Sequence, residues 1–194
     1  MFEHFEAYIT AKASFTKDEL KLIRSQSTEK KIRRRQIQLH EGEVCRHKIF
    51  VAKGLLRTYC TKDDGTEYTM RFSPENWWTT DHESFSNQTP AKCNIEALED
   101  TDAILWTRES FGALLAAIPT LKSVTDKIMS GVIDASQKRI LMHISYTAEE
   151  KYQEFVNDFP DVFGRVPLHM VASYLGVSRE TLTRIRQTQF KRQL

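Results

Sequence analysis

The stretch Val171-Ala-Ser-Tyr-Leu-Gly-Val-Ser-Arg-Glu-Thr-Leu-Thr-Arg-Ile-Arg186 has the residue spacing of two short helices that cross steeply. Ala172 is small enough for a second helix to approach closely, and Gly176 can adopt the positive φ with which a chain leaves a helix. Leu182 and Ile185 lie three residues apart and face inward together. The stretch therefore predicts a helix-turn-helix.

The predicted second helix keeps polar groups on its outward face. Ser178 is a suitable N-cap for this helix. The residues left on the outward face are Arg179, Glu180, Thr183, Arg184 and Arg186. An arginine can donate two hydrogen bonds to O6 and N7 of guanine, and a glutamate can accept one from N4 of cytosine. A charged face that meets only solvent is the alternative, but the helix spacing and the base-contacting chemistry coincide and favour a DNA-recognition helix.

Positive charge is concentrated at this end of the chain. The formal net charge of the whole sequence is only +2, but the segment from Ser178 to Leu194 contains five basic residues and one acid. The basic residues are Arg179, Arg184, Arg186, Lys191 and Arg192. A local excess of this kind suits contact with nucleic-acid phosphates.

The composition is that of a folded, water-soluble protein. Of the 194 residues, 40% are hydrophobic and 28% are charged, and no apolar run approaches the roughly 20 residues of a membrane helix. The first residues, Met1 to Glu6, lack the basic and apolar segments of a secretory signal. Cys45, Cys60 and Cys93 are widely spaced, which fits a reducing cytoplasm and argues against a disulfide framework, a zinc site or an iron–sulfur site.

The chain changes character twice. Residues 3–26 have apolar positions at helical spacing, with Thr16 as a suitable N-cap, and they predict a short helical region. From about Ile32 to Thr107 the apolar period shortens towards two, with turns between short segments. The turn Asp63-Asp-Gly65 lies between two alternating segments and predicts a β-hairpin. Many short strands of this kind indicate an antiparallel barrel or roll.

The last part of the chain has a helical pattern. Apolar residues recur every three or four positions from Pro119 to Ile144 and predict one long amphipathic helix. A surface helix packed on the roll and a coiled-coil seam that forms a dimer both fit this pattern, and Gly131 and Lys138 interrupt a strict heptad. Thr147 is a candidate N-cap for a further helix, and Pro167 suits the first position of the next one.

The roll, the long helix and the hairpin Leu175-Gly-Val-Ser-Arg-Glu-Thr-Leu-Thr-Arg-Ile185, in this order, resemble the CRP/FNR superfamily of bacterial transcription regulators. The resemblance implies an α+β fold. Residues 1–118 would form an N-terminal antiparallel β-roll, a double-stranded β-helix like that of a cyclic-nucleotide-binding domain. Residues 119–146 would form a dimerisation helix, and residues 147–194 a C-terminal, winged helix-turn-helix. It also implies a cytoplasmic homodimer that binds double-stranded DNA at a pseudo-palindromic site, contacts RNA polymerase and is not an enzyme.

The resemblance also implies roles for single residues. The base-contacting arginine, glutamate and second arginine of the family fall on Arg179, Glu180 and Arg184. Phosphate contacts are expected from the residues that flank them, namely Ser178, Thr181, Arg186 and His169, and Thr183 shares the outward face.

The nucleotide-binding residues of the family are not kept. In members that bind cyclic nucleotides, a Gly-Glu pair and a later Arg-Ser pair hold the ribose and the cyclic phosphate. Counted back from Ile95-Glu-Ala97, these pairs fall on Thr80-Asp81 and on Ala91-Lys92. An acid is kept, but the glycine and the forked guanidinium are missing, and a lysine does not replace an arginine at such a site. We therefore expect a degenerate ligand pocket that does not bind cAMP at physiological concentrations.

No cofactor is indicated. The iron–sulfur members of the family use an N-terminal cysteine cluster, and no cysteine precedes Cys45. Haem or an unidentified small effector stays open, because a single His or Cys ligand leaves no spacing signature. Four aromatic residues either line an apolar pocket or fill the roll, and the second interpretation is favoured: Trp77, Trp78, Phe85 and Trp106.

Two other classes of protein share a β-roll. A cupin-like metalloenzyme would use His40, Glu41, His47 and His82, but cupin sites place two histidines one residue apart on a strand, whereas His40 and His47 are seven apart. A regulatory module of a channel or kinase would be accompanied by a membrane segment or kinase motifs, which this sequence lacks. The basic run from Lys30 to Arg35 resembles a nuclear-localisation segment, but a solvated strand edge explains it better.

Overall fold

The computed structural model describes the backbone of residues 1–192 and the side chains of residues 1–189. The chain begins with two short helices, α1 (Phe2–Thr10) and α2 (Lys17–Ser25), where the sequence predicts a helical region. Thr16 caps α2, because its Oγ1 accepts a hydrogen bond from the Glu19 N–H and the Glu19 carboxylate accepts one from the Thr16 N–H. The predicted N-cap is confirmed.

Eight strands follow and form two four-stranded antiparallel sheets. They are β1 (Thr28–Ile32), β2 (Ile37–Leu39), β3 (His47–Lys53), β4 (Leu56–Thr61), β5 (Glu67–Ser73), β6 (Trp78–Thr79), β7 (Asn94–Ala97) and β8 (Thr101–Thr107), with the short helix α3 (His82–Asn87) after β6. The strand orders are β1-β8-β3-β6 and β2-β7-β4-β5. The predicted antiparallel roll is confirmed, and its first strand begins at Thr28 instead of the predicted Ile32.

The central strand β3 is buried on both faces. Ile49 and Val51 belong to the apolar core inside the roll, whereas Phe50 and Ala52 belong to a second core formed with α1, α2 and the helices that follow the roll. Helices therefore cover the outer face of this sheet. A strand covered in this way is apolar at consecutive positions, which explains the unbroken run in the sequence at this point.

The hairpin predicted around Asp63-Asp-Gly65 joins β4 to β5. Near its turn, Cys60 of β4 lies opposite Cys93, and the two form a disulfide with their Cα atoms 4.2 Å apart. The expectation that the cysteine spacing argues against a disulfide is therefore wrong. Cysteines 33 residues apart become direct neighbours because β4 and β7 pair in the second sheet, while Cys45 stays a buried thiol.

Five helices follow the roll in the described part of the chain: α4 (Arg108–Ala117), α5 (Pro119–Ser145), α6 (Ala148–Asp158), α7 (Leu168–Leu175) and α8 (Arg179–Arg192). The 27 residues of α5 form one continuous helix, as predicted. Thr147 caps α6 by accepting a hydrogen bond from the Glu150 N–H, which confirms the second predicted N-cap. No strand follows β8 up to residue 192, and residues 160–166 between α6 and α7 form turns. The β-stranded wing that the resemblance implies is therefore not formed in this part of the chain.

The helices α6, α7 and α8 surround an apolar core that also includes two residues of the roll. Tyr152, Phe155 and Leu175 of the helices pack in one cluster with Leu55 and Phe72 of the roll. The roll and the C-terminal helices are therefore in direct contact. Within residues 1–192, every helix is too short or too polar to span a bilayer.

Candidate nucleic-acid interface and sensor region

The turn between α7 and α8 has the predicted geometry. The helix α7 ends at Leu175, and the next residue, Gly176, has a left-handed backbone with a φ of 65° and a ψ of 37°. Ser178 caps α8, because its Oγ accepts a hydrogen bond of 3.1 Å from the Thr181 N–H. Pro167 is a correction: its ψ of 139° is extended, so it is the N-cap residue of α7 and not its first helical residue.

Apolar side chains fix the crossing of these two helices. Leu182 and Ile185 of α8 are 0% and 4% exposed, and they pack in one core with Val171, Ala172 and Leu175 of α7. Because one side of α8 is buried in this way, its opposite side is turned to solvent.

The exposed side of α8 forms a single shallow surface. It is lined by Arg179, Glu180, Thr183, Arg184 and Gln187. Neither Arg179 nor Arg184 forms a salt bridge with any residue from 1 to 189, so both guanidinium groups remain open to an anionic or base-edge acceptor. Gln187 was missed in the sequence, although its position three residues after Arg184 places it on the same helix face.

The flanking residues of the predicted interface lie beside this surface. Thr181 is half-buried, and its Oγ1 accepts a hydrogen bond of 3.0 Å from the Ser178 hydroxyl at the cap. The Arg186 guanidinium lies 5.0 Å from the centre of the Phe163 ring. His169 is exposed at the start of α7. The side chains of two further basic residues of the predicted interface, Lys191 and Arg192, lie outside the described residues.

The helix-turn-helix is attached to the edge strand β5 of the roll. The Ser173 hydroxyl accepts a hydrogen bond of 2.9 Å from the Thr69 N–H and donates one of 3.1 Å to the Glu67 carbonyl. Arg139 of α5 donates to the carbonyl oxygens of Thr69, at 3.1 Å, and of Tyr174, at 3.3 Å. Because β5 is the last strand of its sheet, these side chains satisfy backbone groups that no neighbouring strand pairs.

A network of one arginine and two glutamates forms a second attachment. Arg165, in the turn before α7, donates to both carboxylate oxygens of Glu75 at 2.9 Å and to those of Glu99 at 3.0 and 2.7 Å. Burial works to raise the pKa of Glu75, but the hydrogen bonds from Arg165 and from backbone N–H groups outweigh it and hold that pKa below its ordinary value. The hydrogen bonds of Glu99 and Glu75 raise the pKa of Arg165 in turn. Sequence reasoning did not identify this network.

The predicted cassette positions are engaged in contacts of their own. The Asp81 carboxylate caps α3 and accepts backbone hydrogen bonds of 3.0 and 3.4 Å, the second from the Lys92 N–H. Lys92 Nζ lies 2.7 Å from the Glu83 carboxylate, so the lysine charge already has a partner. Ala91 is buried, and Thr80 donates a hydrogen bond to a strand carbonyl. Thr80 and Asp81 line a cleft beside α5, whereas Ala91 and Lys92 do not.

The four aromatic residues of the predicted roll interior separate into three environments. Trp106 is 1% exposed in the core outside the roll, and Phe85 packs against the core inside it. Trp77 is exposed, with its ring 5.6 Å from that of Phe159. Trp78 packs against the same outer core as Trp106, with the two ring centroids 5.3 Å apart, and it also lines the cleft beside α5. Core packing therefore describes Phe85, Trp106 and Trp78 but not the exposed Trp77, and of the four only Phe85 packs inside the roll.

The histidines of the cupin-like alternative lie on different elements. His40 follows β2, His47 begins β3 and His82 begins α3. Among the described side chains, no three His, Cys, Asp or Glu residues come together in a way that could hold a metal ion.

Comparison with known sequences identifies the roll. Residues 29–117 match the cyclic nucleotide-binding domain family. This stretch runs from β1 to the last residue of α4. No curated protein sequence matches the chain significantly.

Solved structures match almost the whole chain. FixK2 from Bradyrhizobium japonicum is similar with a TM-score of 0.74 and 19% identity, over 86% of this chain and 85% of that one. A transcriptional regulator of the CRP/FNR family from Eubacterium rectale gives 0.68 and 20% identity, over 91% and 85%. The c-di-GMP-responsive global regulator CLP from Xanthomonas campestris gives 0.70 and 13% identity, over 92% and 94%. At these identities the likeness shows a shared fold.

Proposed function

We propose that this chain, which has the fold of the CRP/FNR transcription regulators, is a DNA-binding regulator that acts as a homodimer on a pseudo-palindromic site. One observation carries the proposal: Arg179, Glu180, Thr183, Arg184 and Gln187 share one exposed face of α8, whose opposite side is buried. Such a face presents two guanidinium groups, each of which can donate two hydrogen bonds, and one carboxylate acceptor to base edges in a major groove.

The proposed contacts follow from the chemistry of each side chain. Arg179 and Arg184 would each donate two hydrogen bonds to a guanine, and Glu180 would accept one from a cytosine amino group. Contacts with phosphates would fix the orientation of the helix without selecting sequence. The residues proposed for phosphate contacts are Ser178, Thr181, Arg186 and His169.

The long helix α5 is the proposed dimer interface. Its exposed large apolar residues are Ile133, Ile140, Leu141 and Ile144, at 55%, 60%, 56% and 79% exposure. Clustered apolar side chains of this exposure favour a partner surface, and the seven-residue step from Ile133 to Ile140 suits a two-stranded seam. Pairing of two α5 helices would bring two α8 helices to successive major grooves, about 34 Å apart.

Cyclic AMP is not the proposed effector. Lys92 already pairs with Glu83, and the cassette provides no guanidinium group for a cyclic phosphate. We also infer a cytoplasmic protein without catalytic activity that contacts RNA polymerase. Haem or another small effector stays open for the roll.

Selection from a random double-stranded DNA library tests this function. The full chain is expected to enrich a pseudo-palindromic motif at a stated salt concentration, with equal affinity in the presence and absence of cAMP. Arg184→Ala is expected to cost about 1–3 kcal/mol of binding free energy and to relax base preference at one position per half-site.

Arg108→Ala is the matched control, because Arg108 is an exposed arginine at the start of α4, and it should leave affinity and preference unchanged. Unchanged affinity and preference in Arg184→Ala would contradict the proposed orientation of α8. A selection that enriches no motif would contradict the DNA-binding function itself.

A further inference from the structure

The disulfide of the roll joins the β4–β5 hairpin to the segment that leads into β7. Cys60 lies near the end of β4, and Cys93 is the residue before β7. The backbone pairing of these two strands ends with Tyr59 opposite Asn94, one residue before each cysteine. Beyond that pair, the disulfide is the link that holds the hairpin end to the segment before β7.

The two bonded cysteines are accessible to small molecules. Cys60 and Cys93 are half-buried, whereas the third cysteine, Cys45, is a thiol with 3% exposure. In a reducing cytoplasm a disulfide is normally transient, catalytic or redox-sensing, because cellular thiols reduce accessible bonds. A cytoplasmic location is part of the proposed function, so an accessible disulfide in this protein is expected to open and close.

The disulfide lies beside the contact that holds the helix-turn-helix on the roll. Cys60 is directly opposite Tyr68 in the hairpin. The two neighbours of Tyr68 both bond to Ser173 of α7. The Glu67 carbonyl accepts a hydrogen bond of 3.1 Å from the Ser173 hydroxyl, and the Thr69 N–H donates one of 2.9 Å to it. One strand pair therefore separates the cross-link from the docked helix.

The position of β5 depends on that of β4. The strand β5 is the last of its sheet, and β4 is its neighbour there. A covalent link that fixes the end of β4 therefore also restricts the β5 residues opposite it. Opening the link gives this end of the hairpin more freedom, and the docking contacts with Ser173 are made at this end.

Arg57 keeps the three strands together when the disulfide is open. Its side chain is buried, and it donates a hydrogen bond of 2.8 Å to Glu96 of β7. It also donates to Glu67 of β5 at 2.7 Å and to the Thr69 hydroxyl at 3.1 Å. None of these bonds involves a cysteine. Reduction is therefore expected to loosen the hairpin end without unfolding the roll.

We propose that Cys60 and Cys93 form a reversible thiol–disulfide site, through which a low-molecular-weight disulfide controls the docking of the helix-turn-helix on β5. The thiolate of one cysteine attacks the small disulfide, forms a mixed disulfide with one half and releases the other half as a thiol. The second cysteine then attacks the protein sulfur of the mixed disulfide and releases the second thiol. The protein loses two electrons and two protons, and the small disulfide gains them.

The consequence for DNA binding rests on the proposed function. In the disulfide form α7 is docked on β5, and the exposed face of α8 is held in one orientation. In the dithiol form a smaller fraction of molecules keeps this orientation. The apparent affinity for DNA is expected to fall by that fraction.

Equilibration of the full chain with glutathione and glutathione disulfide tests the site without DNA. Alkylation followed by peptide mass spectrometry reads the state of each cysteine. Cys60 and Cys93 should be mainly disulfide in an excess of glutathione disulfide and mainly dithiol in an excess of glutathione, and they should change back when the buffer is reversed. Cys45 is the internal control and should stay a free thiol. A pair that keeps one form in both buffers would overturn the proposal.

Hydrogen exchange tests the coupling between the disulfide and the docked helix. Reduction is expected to speed exchange at least about fivefold in peptides from β5 and α7 and to leave α1 unchanged. Cys60→Ser cannot form the bond and should match the reduced wild type in both buffers. Cys45→Ala is the matched control and should respond to the buffers like wild type. Equal exchange of β5 and α7 in the two wild-type forms would contradict the coupling.

DNA affinity of the two forms, measured on a motif enriched by selection, tests the regulatory consequence. Reduction and Cys60→Ser are each expected to weaken binding at least about fivefold. Equal affinity of the disulfide and dithiol forms would overturn the control of DNA binding. A chain that binds no DNA in either form would refute the proposed function instead, and mass spectrometry and hydrogen exchange would still decide on the thiol–disulfide site.

Discussion

Gly176 and Ser178 set the direction of α8 at the scale of single residues. Gly176 adopts a left-handed conformation that side chains with a Cβ rarely tolerate, and a Cβ added there would lie 3.4 Å from the ring of His143. Ser178 then caps the new helix, two residues further on. Both roles follow from local backbone requirements, which is why the sequence predicts them.

Gly176→Ala is expected to lower the free energy of unfolding by about 1–2 kcal/mol, because alanine must adopt the strained left-handed conformation. Urea denaturation measures the change. Gly112→Ala is the control: Gly112 lies inside α4 with open space around it, and alanine there should raise stability by about 0.5–1 kcal/mol. If both substitutions changed the free energy of unfolding equally, the left-handed conformation at position 176 would cost alanine no free energy.

Polar contacts between elements hold the helix-turn-helix against the roll. Ser173 and Arg139 bond to the edge of β5, and Arg165 joins the turn before α7 to two loops of the roll. The partners of Arg165 are 90 and 66 residues away in the sequence. No periodic pattern relates residues at such distances, so the sequence predicts the helices but not how they dock.

Glu75→Gln is expected to lower stability at neutral pH by about 1–2 kcal/mol, a reduced figure because the carboxylate is partly exposed. The pKa of Glu75 is lowered in the folded protein. Its contribution is therefore complete above the ordinary carboxyl pKa of about 4.3 and is lost as the pH falls through the folded-state value.

Urea denaturation at a series of pH values between about 7 and 3 measures this dependence. The difference in stability between wild type and Glu75→Gln should shrink as the pH falls. Asp63→Asn, in the exposed hairpin turn, serves as the control, and its free energy of unfolding should change with pH in the same way as that of wild type. A difference that stays constant over the whole range would contradict the role assigned to the Arg165 network.

At the scale of the whole molecule, the exposed isoleucines on α5 form the contact between the two copies of the chain in the proposed dimer. Ile140→Asp places a charge in the seam and is expected to weaken dimerisation by at least about tenfold. Sedimentation at micromolar concentration should show the shift to monomer. Lys127→Asp, a larger change of charge on another side of the helix, should leave the dimer intact. A wild-type chain that sediments as a monomer would refute the interface.

The sequence by itself determined the features that depend on neighbouring residues. The period of two predicts the roll, the period of 3.6 predicts α5, and the spacing of Ala172, Gly176, Leu182 and Ile185 predicts the hairpin that exposes the arginines of α8. The changed cassette is a separate expectation, because it rests on the resemblance to the family and not on periodicity or spacing. The predictions of the roll, of α5 and of the hairpin need only a short window of the chain, because backbone geometry repeats within it.

Only the tertiary structure decided which distant residues meet. Strand order brings Cys60 beside Cys93, and the docking of α7 on β5 brings Arg165 to its two glutamates. The packing of α5 on the roll brings Arg71 of β5 and Arg139 of α5 into the lining of the same clefts. These contacts depend on register and packing over the whole chain, so the local patterns that specify each element carry no information about them.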